Sequence, residues 1–194
     1  MIKKRLILVR HGHCDKSGTY CGSTDAPLTK KGRSQALAVA EKIASVPISV
    51  CYYSPLRRAS QTARILCSSR RIRALPAPAL KEIDFGLWEG LTYSEIAARW
   101  PDLAERWLAD PAGVTIPGGE PFSAFSGRIR RFLQNLSKEG SARNILIVAH
   151  GGSLAALMME ILGKPVSEFF KLLPALASIQ KVDWRSRGGS AEPC

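Results

Sequence analysis

Two of the three histidines in this 194-residue chain follow a short apolar stretch and precede a glycine. His11 and Gly12 end the stretch "LILVRHG", and His150 and Gly151 end the stretch "ILIVAHG". An imidazole that is neutral at neutral pH carries a free lone pair, so a histidine in such a position can act as a nucleophile. A glycine beside it lets a ligand approach the backbone closely. The repeated pattern indicates that the two histidines share one site.

Arginines occur at matching places in the sequence. Arg10 directly precedes His11, and "SPLRRASQTA" places Arg57 and Arg58 in the first turn of a predicted helix. A guanidinium group and the positive end of a helix together favour a dianion such as phosphate. Because adjacent helical residues face different directions, only one of the two can point into the site. We choose Arg58 and expect Arg57 to face solvent.

The elements that must position these residues alternate between strand and helix. Short, nearly continuous apolar stretches are typical of strands buried on both faces of a parallel sheet. Strands are predicted over 5–9, 48–53, 74–80, 144–149 and 178–183, and helices over 31–44, 55–66, 93–100, 102–109, 122–136 and 153–162, with Ser54 as the cap of the second helix. The alternation predicts an α/β fold, a three-layer α/β/α sandwich with a mostly parallel central sheet. Ligands bind such sheets at the carboxyl ends of the strands, where both histidines would lie.

Length and composition indicate one globular domain. Hydrophobic residues make up 45% of the chain and charged residues 23%. We expect a single domain over 1–184, with 91–120 as an insertion or lid over the site and 185–194 as a flexible tail. The apolar stretches are too short for a membrane span or a signal peptide, and the five cysteines are odd in number and irregularly spaced. These features predict a cytoplasmic protein without a membrane partner.

The net charge of +12 raises the alternative of a non-enzymatic protein that binds nucleic acid. The basic residues are dispersed and are not interleaved with aromatic residues, so we do not expect a nucleic-acid partner. The stretch "HGHCD" also fits the H-x-H-x-D ligand spacing of dinuclear metallohydrolases. Such sites need several further histidines, and only His150 remains, so we expect no metal.

Five motifs carry a resemblance to a known family. "LVRHG", "SPLRRASQTA", "LKEIDFGLWEG", "PGGE" and "VAHGG" occur in this order between residues 8 and 152. The chain resembles the histidine phosphatase superfamily, which has the phosphoglycerate mutase-like fold. The resemblance implies that the protein is a phosphoric monoester hydrolase that needs no cofactor and forms a phosphohistidine intermediate.

The resemblance also implies a role for each matching residue. His11 would be the nucleophile, with Arg10, Arg58 and His150 around the transferred phosphoryl group. Glu82 would protonate the leaving oxygen and then activate water.

Further residues are implied as contacts of the substrate or of the catalytic groups. Gly22 and Thr24 in "YCGSTDAPLT", together with Gly151, would contact substrate. Glu120 in "PGGE" would orient Arg10 or Arg58, or else cap the helix that follows.

The chain departs from the family pattern after its first motif. It reads "RHGHCDKSG", with His13 where the family has glutamate and without the asparagine that usually follows. This removes a phosphate contact that the family pattern would supply. We expect His13 to lie at the rim of the site.

Within the family, the segment from Glu82 to Glu120 most resembles α-ribazole phosphatases of cobalamin synthesis. The implied partner is a small phosphorylated metabolite, with α-ribazole 5′-phosphate as the first candidate. A broad-specificity phosphatase, a sugar-phosphate phosphatase and a phosphatase that works mainly through a protein partner stay open, as does a homodimer. Phosphoglycerate mutase is less favoured, because "LADPAGVTIPGGE" stands where mutases carry a longer basic insertion.

Overall fold

We describe a computed structural model of the chain over residues 3–68, 70–138 and 143–185. Five strands form one sheet in the order β3-β2-β4-β1-β5. They are β1 (Lys3–Arg10), β2 (Val50–Tyr53), β3 (Arg73–Pro76), β4 (Asn144–Ala149) and β5 (Ile179–Arg185). β5 runs antiparallel to β1, and the other neighbouring strands are parallel. The predicted mostly parallel α/β sheet is confirmed.

Six α-helices among the described residues cover the two faces of the sheet. They are α1 (Lys30–Lys42), α2 (Arg57–Cys67), α3 (Tyr93–Arg99), α4 (Pro101–Ala109), α5 (Phe122–Lys138) and α6 (Gly151–Leu162). The helices α1 and α2 pack on the face that carries Ile7 and Val9. The helices α5 and α6 pack on the opposite face, which carries Leu6 and Leu8. β1 is buried on both faces, which explains its continuous apolar sequence.

Two predicted boundaries are wrong for identifiable reasons. α2 begins at Arg57 with Leu56 as its cap residue, not at Pro55 with Ser54 as cap. The Ser54 hydroxyl accepts from the N–H of Leu56 at 3.4 Å, just before the helix, and lies 2.7 Å from Nε2 of His150. β3 ends at Pro76 instead of continuing to Leu80, because prolines 76 and 78 lack the N–H that a ladder needs.

The structure also shows the predicted insertion and the start of the predicted tail. The segment 91–120 contains α3 and α4, and Thr92 and Glu95 form a capping box at the start of α3. β5 continues through Arg185, and residues 186–194 of the predicted tail lie outside the described residues.

The loop after β1 lies directly against the start of α1. The Thr29 N–H donates to the carbonyl of His13, and the Thr29 hydroxyl accepts from the N–H of Gly32. A Cβ on Gly32 would lie 2.0 Å from the His13 carbonyl oxygen, and one on Gly12 would lie 2.4 Å from the Gly32 carbonyl oxygen. Two glycines are therefore required for this contact, which fixes the chain directly after His11.

Gly32→Ala is expected to destabilise the protein by about 1–3 kcal/mol, because the new methyl group would overlap backbone that cannot move aside cheaply. Gly127→Ala is the matched control, since Gly127 is also helical and its nearest neighbour would lie 3.5 Å from a new Cβ. We expect this control to raise stability by about 0.4–1 kcal/mol. Urea unfolding measures both changes. Equal effects of the two substitutions would show that the contact with the loop is not tight.

Candidate active site

The parallel pairing of β1 and β4 brings the two strand-end histidines together. The N–H of His11 donates to the carbonyl of Ala149 at 3.0 Å. The ring centroids of His11 and His150 lie 5.1 Å apart, with the rings inclined by 61°. Both side chains are buried. The structure therefore places the two histidines next to each other, as the sequence predicted.

His11 has one ring nitrogen bound and the other available. Its Nδ1 lies 2.7 Å from the carbonyl oxygen of Gly12. A carbonyl can only accept, so Nδ1 carries the proton and Nε2 keeps its lone pair. Burial lowers the pKa of His11 to about 3, and the charges of Arg58 and Arg10 act in the same direction. His11 is therefore a neutral imidazole with a nucleophilic Nε2 at neutral pH.

Arg58 is fully buried and binds the loop at residues 21–24. Its Nη1 donates to the Thr24 carbonyl at 2.6 Å, and its Nη2 donates to the carbonyls of Cys21 at 2.9 Å and Gly22 at 2.7 Å. Its Nε donates to Nδ1 of His150 at 3.1 Å. These bonds use four of the five guanidinium N–H groups. Arg57 is exposed at the protein surface, where the sequence placed it.

His150 has both ring nitrogens engaged within the protein. Because Nδ1 accepts from Arg58, Nε2 carries the proton and donates to the Ser54 hydroxyl at 2.7 Å. Burial lowers the pKa of His150 well below its ordinary value, with further contributions from Arg58 and His11. His150 is not among the residues that line the cavity described below. Its ring contacts Arg58, Ser54 and His11.

Arg10 lies on the other side of His11. Its Nη1 donates to the carbonyl of Pro174 at 2.7 Å, and its buried Nε has no hydrogen-bond partner among the described residues. A Cβ on Gly151 would lie 3.2 Å from the guanidinium carbon, so Gly151 lets the arginine pack against the start of α6. Arg10 lines the cavity described below, so its guanidinium group is placed to bind an anion there.

Glu82 is a buried carboxylate at the N-terminus of α6. Its Oε2 accepts from the N–H of Gly152 at 2.8 Å, and its Oε1 accepts from the N–H groups of Ser153 at 3.0 Å and Ile83 at 3.1 Å. A Cβ on Gly152 would lie 2.6 Å from Oε1. Burial raises the pKa of Glu82 above its usual range, although the backbone N–H groups and the arginines oppose that shift. Such a carboxyl group can hold a proton nearer to neutral pH.

Glu120 contacts Arg128, not Arg10 or Arg58 as one interpretation of the sequence expected. The two carboxylate oxygens accept from Nε and Nη2 of Arg128 at 2.8 and 2.9 Å. Arg128 also donates to the carbonyls of Ala79, Lys81 and Glu82. The pair therefore fixes the backbone on which Glu82 lies. Sequence reasoning missed Arg128, because its partners lie 46–49 residues away and share no motif with it.

Glu89 is a second residue that sequence reasoning missed. Its carboxylate accepts from the N–H groups of Gly22, Ser23 and Thr24 and from the Thr24 hydroxyl. The polar hydrogens of Gly22 and Thr24 thus bind Glu89, and neither residue lines the cavity. His13 also lies away from the cavity wall, with Nδ1 3.0 Å from the Thr29 hydroxyl.

A cavity of about 330 Å³ opens beside His11. Its wall contains four of the five predicted catalytic residues, Arg10, His11, Arg58 and Glu82, together with the predicted substrate contact Gly151; the fifth, His150, does not line it. The rest of the wall is rich in aromatic rings: Tyr20, Phe85, Trp107, Phe169 and Phe170. Trp107 and Leu108 come from the 91–120 segment, which thereby forms one wall of the site.

Two further structural features concern the predictions about metal ions and membranes. Within the described ranges, no group of three or more His, Cys, Asp or Glu side chains could hold a metal ion. No helix in the described part of the chain has the length and apolar character that crossing a membrane requires.

Comparison with known proteins gives the same family that the motifs indicated. The model of the histidine phosphatase superfamily (branch 1) matches residues 6–192. The chain is 34% identical over 163 residues to the adenosylcobalamin/α-ribazole phosphatase of Escherichia coli, covering 83% of this chain and 80% of that relative. It is 29% identical to phosphoserine phosphatase 1 of Hydrogenobacter thermophilus, over 86% of this chain and 80% of that protein.

Solved structures extend the comparison. The α-ribazole phosphatase from Shigella flexneri superimposes with a TM-score of 0.85 at 31% identity, over 94% of this chain and 91% of that one. A mycobacterial glucosyl-3-phosphoglycerate phosphatase gives a TM-score of 0.82 at 32% identity, over 92% and 89% of the two chains. With its motifs, sheet order and buried histidine pair, the chain belongs to the histidine phosphatase superfamily.

Proposed function

We propose that this phosphatase hydrolyses α-ribazole 5′-phosphate, or a phosphomonoester whose alcohol carries a similar aromatic ring system. The observation that carries the proposal is the aromatic wall of the cavity that His11 also lines. Tyr20 and Phe85 meet edge to face with centroids 4.9 Å apart, and Trp107 bridges Phe85 and Phe170 at 6.1 and 6.0 Å. Such rings favour stacking with another aromatic system. α-Ribazole is a benzimidazole ribonucleoside, and relatives with that activity support the assignment.

The reaction proceeds in two phosphoryl transfers. Nε2 of His11 forms a bond to phosphorus while the bond to the leaving oxygen breaks, which gives a phosphohistidine and the alcohol. Water then attacks phosphorus, the N–P bond breaks, and inorganic phosphate leaves. The hydrogen bond from Nδ1 to the Gly12 carbonyl holds the ring in the reactive tautomer throughout.

Glu82 supplies and removes the proton. Its raised pKa favours the acid form that protonates the leaving oxygen, and the resulting carboxylate accepts a proton from the attacking water. The Glu120–Arg128 pair acts through Glu82, because Arg128 binds the carbonyl of Glu82 at 2.9 Å. Glu120 is thus a positioning residue for the acid.

Positive charge beside His11 stabilises the equatorial phosphoryl oxygens. Arg10 contributes a guanidinium group in the cavity wall, and Arg58 contributes the N–H that the loop and His150 leave unused among the described contacts. His150 holds Arg58 in place through Nδ1. Gly22 and Thr24 contribute indirectly. They bind Arg58 and Glu89, and the bond from Arg58 to the Gly22 carbonyl helps to hold that arginine in place.

A sugar-phosphate phosphatase is the second candidate. Lys16, Ser17 and Thr19 add polar groups to the cavity wall, and such groups can bind sugar hydroxyls. The similar mycobacterial glucosyl-3-phosphoglycerate phosphatase supports this alternative.

Substrate preference is expected to depend on the aromatic wall. With purified enzyme, kcat/KM for α-ribazole 5′-phosphate should exceed that for ribose 5-phosphate, phosphoserine and glucosyl-3-phosphoglycerate by at least about tenfold. Phe170→Leu should reduce the preference mainly by raising KM for the ester that carries the aromatic ring, since a partly exposed stacking surface of about 1 kcal/mol is lost. Trp184→Leu, which changes a tryptophan outside this cavity, is the control. A higher kcat/KM for a sugar phosphate would replace the first candidate with the second.

Glu82→Gln keeps the size of the side chain and removes its transferable proton. We expect phosphohistidine formation from an alkyl phosphate to slow by about 100- to 10,000-fold, and formation from p-nitrophenyl phosphate to slow much less. In the native enzyme, alkyl phosphate turnover should fall as pH rises through the raised pKa of Glu82, because the acid form is lost.

Rapid acid quench with ³²P-labelled substrates measures both effects, with the acid-labile label mapped to His11. Glu105→Gln alters an exposed carboxylate on α4 and should change neither rate. Equal losses for the alkyl and aryl esters in Glu82→Gln would assign the proton to another group.

A further inference from the structure

We propose that Cys14 and Cys21 form an oxidant-sensitive dithiol in the wall of the active-site cavity, and that joining them inhibits the phosphatase reversibly. Both residues line the cavity, and both thiols are free. The side chain of each affects the pKa of the other, so the two thiols are neighbours although seven positions separate them along the chain. The proposal rests on the phosphatase activity of the site but not on the identity of the ester.

The surroundings of Cys14 stabilise a thiolate. The Ser17 hydroxyl donates to Sγ of Cys14 at 3.6 Å. The Cys21 thiol is the largest cause that lowers the pKa of Cys14 to about 5, and the Lys16 backbone N–H and the Arg58 charge add to it. Burial and the hydrogen bond to Cys14 raise the pKa of Cys21, whose Sγ lies 3.7 Å from the Thr24 carbonyl oxygen. One nucleophilic thiolate therefore lies beside a second, protonated thiol, which is the arrangement of a redox-sensitive pair.

Hydrogen peroxide would oxidise the two thiols to a disulfide in two steps. The Cys14 thiolate attacks one peroxide oxygen, an S–O bond forms, and the O–O bond breaks, so the leaving hydroxide takes a proton and becomes water. Cys21 then attacks the sulfenic sulfur of Cys14, an S–S bond forms, and the second oxygen leaves as water with the Cys21 proton. Two thiols lose two electrons in total, and one peroxide is reduced to two waters.

A bond between the two sulfurs would disturb groups next to His11. The sulfurs would have to approach to about 2.05 Å, closer than any hydrogen bond. The carbonyl of Cys21 accepts from Nη2 of Arg58 at 2.9 Å, so its movement would alter the position of Arg58. Cys14 is held near Leu28 by a β-bridge and follows His11 by three residues. Displacements of about 1 Å in such a site can cost a hundredfold in rate.

The chain provides an internal comparison. Cys51 on β2 and Cys67 on α2 also affect each other's pKa, but neither lines the active-site cavity. Cys51 is fully buried in the core. A general sensitivity of paired thiols would affect this pair as well, whereas the proposal assigns inhibition to Cys14 and Cys21 alone.

The test treats reduced full-length enzyme with hydrogen peroxide and measures p-nitrophenyl phosphate hydrolysis before oxidation, after oxidation and after dithiothreitol. Each variant is compared with its own untreated rate. We expect the native enzyme and Cys67→Ser to lose about tenfold in rate and to recover with dithiothreitol. Cys14→Ser and Cys21→Ala should lose less than twofold. Thermal melting of each variant verifies that it is folded.

Mass spectrometry of digested, alkylated samples gives a readout independent of activity. The proposal predicts a peptide linked between Cys14 and Cys21 that appears in step with the loss of rate. A link only to Cys67 or Cys194, irreversible oxidation of Cys14 without a link, or a Cys14–Cys21 link with full activity would overturn it. An enzyme inactive in reductant would contradict the phosphatase assignment instead, while the mass readout would still test the dithiol.

Discussion

The buried guanidinium of Arg58 is the interaction on which the site depends. Removing a cation from water costs several kcal/mol unless charge-assisted hydrogen bonds replace the lost hydration. Here three carbonyls of the loop at residues 21–24 and the Nδ1 atom of His150 provide them. The same bonds connect the start of α2, the end of β4 and that loop. A single residue thus provides positive charge beside His11 and holds three separate chain segments together.

Burial shifts the pKa values of His11 and Glu82 in opposite directions. Burial favours the neutral forms of both His11 and Glu82, so it lowers the pKa of the histidine and raises that of the carboxyl group. A neutral histidine is a nucleophile, and a neutral carboxyl group is an acid, so one environment prepares both reactants for the first step. The arginines reinforce the effect on His11 and oppose it on Glu82.

Much of this arrangement could be predicted from local sequence. The apolar stretches before His11 and His150 required buried parallel strands, and strand ends in such sheets meet at one edge, so the histidine pair followed. Contacts between distant segments could not be predicted in this way. Glu89 binds the loop at residues 21–24 across 65–67 positions, and neither partner carries a periodic or motif signal for the other. Ser54 fits a helix cap locally, but its hydroxyl also binds His150, which no local pattern indicates.

The protonation state of His11 is the most direct test of this account. Because the chain has three histidines, ¹⁵N-histidine NMR of the native protein and a His11→Asn variant can assign the ring signals. We predict that His11 carries its proton on Nδ1 and keeps neutral-tautomer shifts at pH 5, since its pKa is about 3. A His11 that carries its proton on Nε2, or that is mostly protonated at pH 5, would contradict the assignment of a buried neutral nucleophile.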